Sequence, residues 1–189
     1  MLAPVHLLSY SALLGMQLWQ SFAVTKITFQ ALPRSAFTTL NKRIFRAYFL
    51  TQSVLVLVTA VTTPTNNLLT LLSWLPLLRA TTTTTTTSDN SSSPSTATWG
   101  ITFAIMSVSS LLNLFLWEPR SRQAMIDRTH QETRDGRNKQ PLALEPTPEM
   151  QAVNKRFKRS HAMCIHLNLV TIGSTLFWGW VLAARLRFE

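Results

Sequence analysis

Cysteine, glycine and acidic residues are all scarce in this chain. One thiol, Cys164, stands among 189 residues, which excludes an intrachain disulfide and leaves no redox compartment to infer. Five glycines supply no glycine-rich loop to cradle a phosphate, and no CxxC or HExxH spacing exists to hold a metal. No Ser/His/Asp or Cys/His set suggests an activated nucleophile, so the sequence predicts no enzyme and no cofactor. Charge is thin as well: 14% of residues are charged, against ~25% in ordinary soluble domains.

What the chain does have is long apolar runs separated by basic ones, a membrane pattern. The net charge of +10 belongs to those borders. Retention of positive charge on one side of a membrane explains it without nucleic acid. The first apolar run starts at Val5 with no positive residues before it and continues to about Phe29. That exceeds the ~7–15-residue core of a signal peptide, so a retained helix is expected.

Four spans are predicted, at about 5–29, 45–63, 99–117 and 161–184, making an all-α, four-helix transmembrane bundle in one domain. Lys26 can snorkel from the last turns of the first span, and Pro33 ends it. Ser53–Val61 is the apolar heart of the second, and Pro64 with Asn66-Asn67 marks its end. Leu68–Leu78 amounts to ~17 Å of helix, too short to cross a ~30 Å core. It reads as an interfacial segment or an extension of the second helix. Residues 80–98 are a Thr/Ser-rich, low-complexity loop, expected to be disordered. Trp99 and Trp117 bracket the third span, ~27 Å apart along a helix, as two interfacial belts. Beyond it the helical pattern continues in water as far as Arg134, within a basic loop at 118–160. Thr147-Pro148-Glu149 then reads as a helix start, with a capping hydroxyl, a proline in the first turn and an early carboxylate. Trp178 and Trp180 mark the far interface of the fourth span.

Of 18 Lys and Arg residues, four lie at the border of the first two spans (Arg34, Lys42, Arg43 and Arg46) and ten between the last two. That bias predicts a cytosolic basic side with both termini opposite. Asn90-Ser91-Ser92 is then a glycan acceptor on the lumenal side.

His6-Leu7-Leu8, Gly15-Met16-Gln17 with Trp19, Leu32-Pro33-Arg34 with Phe37, and Phe45 with Tyr48-Phe49 follow one another at helix ends. Trp117-Glu118-Pro119-Arg120 with Ala124-Met125, then Arg156-Phe157 with His161 and Asn168, complete the series. In order and placement these resemble the transmembrane protein 205 family. The resemblance covers the four helices and their basic borders, and residues 64–98 look like an insertion. It implies a four-helix multi-pass protein of poorly defined molecular role. The human member is associated with platinum-drug resistance and with secretory-pathway membranes.

Four amides fall in four different spans: Gln20, Gln52, Asn113 and Asn168. All lie ~7–10 Å from the basic end at 1.5 Å per residue. Such groups turn inward and bond across helices, so a polar layer is expected, as structural glue or as a small polar site. His161, Met163, Cys164 and His166 offer soft and borderline ligands. At 100° per residue His161 and Cys164 share a face while His166 lies about 140° away from it, so no metal site is predicted. Glu118, the acid at the basic membrane border, is expected to pair with Arg120, Arg122 or Arg34.

The function expected from these features is a non-enzymatic structural or interaction component of an endomembrane, in the endoplasmic reticulum or secretory pathway, with a mitochondrial membrane as the alternative. The second reading is an accessory to transport or efflux of a small molecule or metal drug. The expected partners are the lipid bilayer and either a second copy of the chain or other membrane proteins, with no nucleic acid.

Overall fold

The computed structural model describes residues 2–63, 96–137 and 146–184. These residues contain no strand and form four long helices. Helix α1 is continuous over residues 2–31, in the pieces Leu2–Leu18, Trp19–Val24 and Thr25–Ala31. Helix α2 is Arg34–Val61. Helix α3 joins Thr96–Leu112, Asn113–Trp117 and Glu118–Arg137. Helix α4 is Pro148–Ala183. Each expected span lies inside one of these helices or overruns its end by one or two residues. The helices are longer than the spans because α3 and α4 continue past the apolar stretch as a charged helical pair. The basic loop expected at 118–160 is therefore largely helical, and α3 begins at Thr96, inside the expected 80–98 loop. Asn90 and the 68–79 segment lie outside the described residues.

Among the described residues three helical stretches are long and apolar enough to cross a membrane, Ser35–Val61, Trp99–Gly136 and Pro148–Ala183. Helix α1 meets the same length only when its three pieces are taken together, ~45 Å at 1.5 Å per residue. By length and composition this is an integral membrane protein with a helical bundle architecture.

Local chemistry explains the helix breaks. Pro33 takes an extended conformation (φ −57°, ψ 149°) and separates α1 from α2. Thr147 caps α4 by accepting the Met150 N–H at 3.2 Å, with Pro148 behind it, as the motif predicts. Both π-helical turns have identifiable causes. In α1, the Thr25 hydroxyl donates to the Gln20 carbonyl, 3.0 Å away, inside the widened turn Trp19–Val24. In α3, Pro119 has no N–H to give and its ring crowds the carbonyl of Phe115, so the turn before it, Asn113–Trp117, opens to π geometry.

Each helix touches the next, and α4 returns to α1, closing a four-sided bundle. Its polarity is inverted relative to a soluble protein. Leu8, Phe29, Phe115 and Trp180 face outward, while His6, Gln17, Gln52, Asn113 and Thr171 are buried. In lipid, outward apolar groups lose nothing, and polar groups are driven inward to bond one another. Ser53 meets Ser110 at 2.6 Å across α2 and α3, and Ser109 meets Thr171 at 2.8 Å across α3 and α4. Away from the basic end the interior holds an apolar cluster beside the buried polar His6, Ser9 and Thr59. Leu13, Val56, Phe103, Met106 and Trp178 form one buried cluster there, with Trp99 packed against it.

Candidate ligand cavity

The basic half of the bundle is not filled. A cavity of about 360 Å³ opens there, bounded by α1 at Gln20–Thr25, α2 at Asn41–Phe49, α3 at Glu118–Met125 and α4 at His161–Leu169. It lies where α1 departs from its neighbours beyond the π turn. That segment is tied back through Ser21, which accepts from Asn168 Nδ2 at 2.9 Å and lies beside Tyr48. The apolar cluster around Leu13, Met106 and Trp178 occupies the other half of the interior. The cavity is thus one-sided rather than a channel.

Asn168 organises one wall. Its carbonyl oxygen accepts from the Tyr48 hydroxyl at 2.8 Å and from Gln52 Nε2 at 3.2 Å, while its amide nitrogen reaches Ser21. This joins α1, α2 and α4. Asn113 donates instead to the backbone carbonyl of Cys164 at 3.1 Å. Gln20 is buried, and its Nε2 finds no partner among the described residues. The four predicted amides therefore all avoid lipid, but the mutual network expected of them reduces to one direct amide–amide bond, Gln52 to Asn168. Trp19, beside Gln20, faces outward with 62% of its surface exposed.

Glu118 is buried and ion-paired with Arg122 at 3.5 Å, while Arg120 lies over the Trp117 ring at 5.3 Å. Because α3 and α4 pack together, Met125, His161 and Cys164 all line the cavity. His161 stacks on Phe157 at 5.3 Å, and Cys164 lies beside Ser121. Met163 and His166 turn to the other face, where His166 Nδ1 meets the Ala162 carbonyl at 2.6 Å. The soft-ligand run is thus split between two faces. Among the described residues no group of three His, Cys, Asp or Glu side chains is placed to hold a metal.

His6 and Gln17, both part of the motif series, are buried far from solvent. His6 Nε2 accepts the Trp178 indole N–H at 3.2 Å, and Nδ1 donates to the Thr59 carbonyl at 3.0 Å. Both ring nitrogens are thereby used in joining α1, α2 and α4. Gly15 has open space where a Cβ would stand.

Sequence reasoning missed Asn41 and Ser121. Asn41 is fully buried and lines the cavity, although it precedes the apolar part of α2. The signal was present: Asn41, Phe45, Tyr48 and Gln52 recur at helical spacing on one face.

A membrane bundle with inward amides, a buried border acid and a one-sided cavity characterises the class. The chain belongs to the family described as "Domain of unknown function (DUF4149)", whose model matches residues 8–130. That span supplies three of the four cavity walls. Over 186 residues the chain is 34% identical to "Xanthocillin biosynthesis cluster protein D" of Aspergillus fumigatus, covering 98% of this chain and 91% of that protein. This likeness extends through α4. No solved structure matches the chain.

Proposed function

We propose that this protein is a non-enzymatic, multi-pass component of an endomembrane that holds a small, largely apolar molecule in its bundle, as an accessory to small-molecule transport or efflux. The observation that carries this reading is the cavity of about 360 Å³, within the size range of small-molecule sites. Its walls are mainly apolar, with a few convergent polar groups, the usual composition of such sites. A purely structural or interaction component gains nothing from leaving half its interior open, since filling it would add stabilising contacts. The one-sided shape favours holding a molecule over conducting it. The relative's printed association with a biosynthesis cluster supports a role beside small-molecule chemistry. The motif resemblance to the transmembrane protein 205 family supports an endomembrane location and the accessory role.

Native mass spectrometry of the full chain, released from the membranes of a producing cell, tests this. A small-molecule adduct is expected on the wild-type protein and is expected to vanish in Ser121→Phe, which fills the cavity. A wild-type protein with no adduct, or one whose adduct survives the filling, returns the chain to a structural or interaction role.

A further inference from the structure

Two amide groups on the cavity wall are buried and incomplete. Asn41 is 0% exposed, and its Nδ2 donates to the Phe37 carbonyl at 3.0 Å. Its Oδ1 has no donor among the described residues. The Phe37 bond fixes the unpaired end of the amide as the oxygen, because a flipped amide would set two oxygens against each other. On the α1 wall, Gln20 is 9% exposed and its Nε2 is buried with no acceptor among the described residues. One wall therefore lacks a donor and another lacks an acceptor. A buried group left in that condition costs ~1–3 kcal/mol, so the bare cavity is poised for an occupant that supplies both.

The cavity also has side access. Phe22, Ile165 and Leu169 line it, yet they are 61%, 45% and 49% exposed on the outward face of the bundle. Outward apolar residues in this protein face lipid. Beside the Ser21–Asn168 tie, the cavity therefore opens sideways past Phe22 and Ile165, into the leaflet on the basic side.

We propose that the cavity takes an uncharged, hydroxyl-bearing amphiphile from the bilayer, whose hydroxyl donates to Asn41 Oδ1 and accepts from Gln20 Nε2. This rests on the ligand-holding reading above and specifies its occupant. The apolar body lies along Phe22, Phe45, Phe49 and Leu169, and the polar end stays at the depth of the amides. A carboxylate would be drawn by Lys42 and would satisfy Gln20. It carries no donor, however, and would set its oxygens against Asn41 Oδ1. A cation finds Glu118 already paired with Arg122 at 3.5 Å.

The test uses the full chain in nanodiscs and three photoreactive probes: a diazirine-tagged dodecanol, its methyl ether and the matching dodecanoate. Crosslinks are mapped by peptide mass spectrometry to residues 41–49 and 161–169. The ether accepts a hydrogen bond but donates none. On the unmodified protein the alcohol is expected to label these peptides about five- to tenfold more than the ether, the worth of one net hydrogen bond. Asn41→Leu is expected to bring the alcohol down to the ether, whereas Gln20→Leu is expected to lower both alike. Equal labelling by alcohol and ether, as in a cavity that holds water at Asn41, overturns the proposal while leaving the ligand-holding reading intact. Stronger labelling by dodecanoate overturns it too. If none of the probes reaches the cavity peptides, the ligand-holding reading fails with it.

Discussion

The indole N–H of Trp178 points at Nε2 of His6, 3.2 Å away, with the two rings edge to face at 87°. Tryptophan can only donate, so Nε2 must accept, and the imidazole is the neutral form with its proton on Nδ1. That proton meets the Thr59 carbonyl, and the Thr62 hydroxyl lies 3.3 Å from the same nitrogen. A histidine near the start of α1 thereby joins α2 and α4, and it has no lone pair left for a metal or haem.

Trp178→Phe keeps most of the apolar contact with Phe103, whose ring centroid is 4.7 Å away, and removes only the donor. It is expected to lower stability in detergent or nanodiscs by about 1 kcal/mol. His6→Leu removes three contacts and is expected to cost about 1–2 kcal/mol. Thermal unfolding of both variants and of the double variant checks this. Losses that simply add would show that the two side chains do not interact.

The Asn168 hub makes a parallel prediction in the basic half. Gln52→Leu and Asn168→Leu are each expected to lower stability by ~0.5–2 kcal/mol, and together by less than the sum. The larger single effect belongs to Asn168, which serves Tyr48, Gln52 and Ser21, whereas Gln52 has only Asn168. A larger loss from Gln52→Leu than from Asn168→Leu would contradict this arrangement.

Gly179 gives a steric test of helix contact. A methyl group there would overlap the Tyr10 hydroxyl. Alanine is otherwise preferred to glycine within a helix by ~1 kcal/mol. Gly179→Ala is therefore expected to destabilise the wild-type protein but to stabilise a Tyr10→Ala background, where the obstacle is gone. A stabilising effect in both backgrounds would place α1 farther from α4 than the structure has it.

The helical architecture was legible because the apolar runs and their breaks are strong signals, and the inward direction of the four amides followed from lipid as solvent. Their actual partners did not follow. A uniform 100° per residue puts Glu118, five residues beyond Asn113, well off its face. The π turn ahead of Pro119 adds the extra residue that brings Glu118 back toward the interior. The same insertion at Trp19–Val24 shifts Ser21 and Thr25 to the cavity wall. Only Pro119 announces one of these turns in the sequence. The cavity itself depends on α1 leaving its neighbours, which no local pattern records.

The last prediction concerns sidedness. Helix α3 separates two segments that can each be tagged, one before Thr96 and one after Arg137. If α3 crosses the membrane, the tags must report from opposite sides. The bias of Lys and Arg decides which is which: Arg34, Lys42, Arg43 and Arg46 lie in the first part of α2 and ten more between the third and fourth spans, against Arg79 alone between the second and third. Positive residues stay on the cytosolic side, so the basic loops should be cytosolic and the Thr/Ser-rich segment lumenal. Cys164 is the one native thiol and is buried, so single cysteines can be read against a Cys164→Ser background. Ser91→Cys is expected to react with an impermeant maleimide only from the lumen, and Gln140→Cys only from the cytosol. In a secretory-pathway membrane, Asn90 would also carry a glycan, removable by endoglycosidase and lost in Asn90→Gln. Reaction of both cysteines from one side would mean that α3 does not cross. Reaction from the reversed sides would keep the bundle but turn the cavity, with Lys42, Arg122 and the exposed basic ends of α3 and α4, toward the lumen.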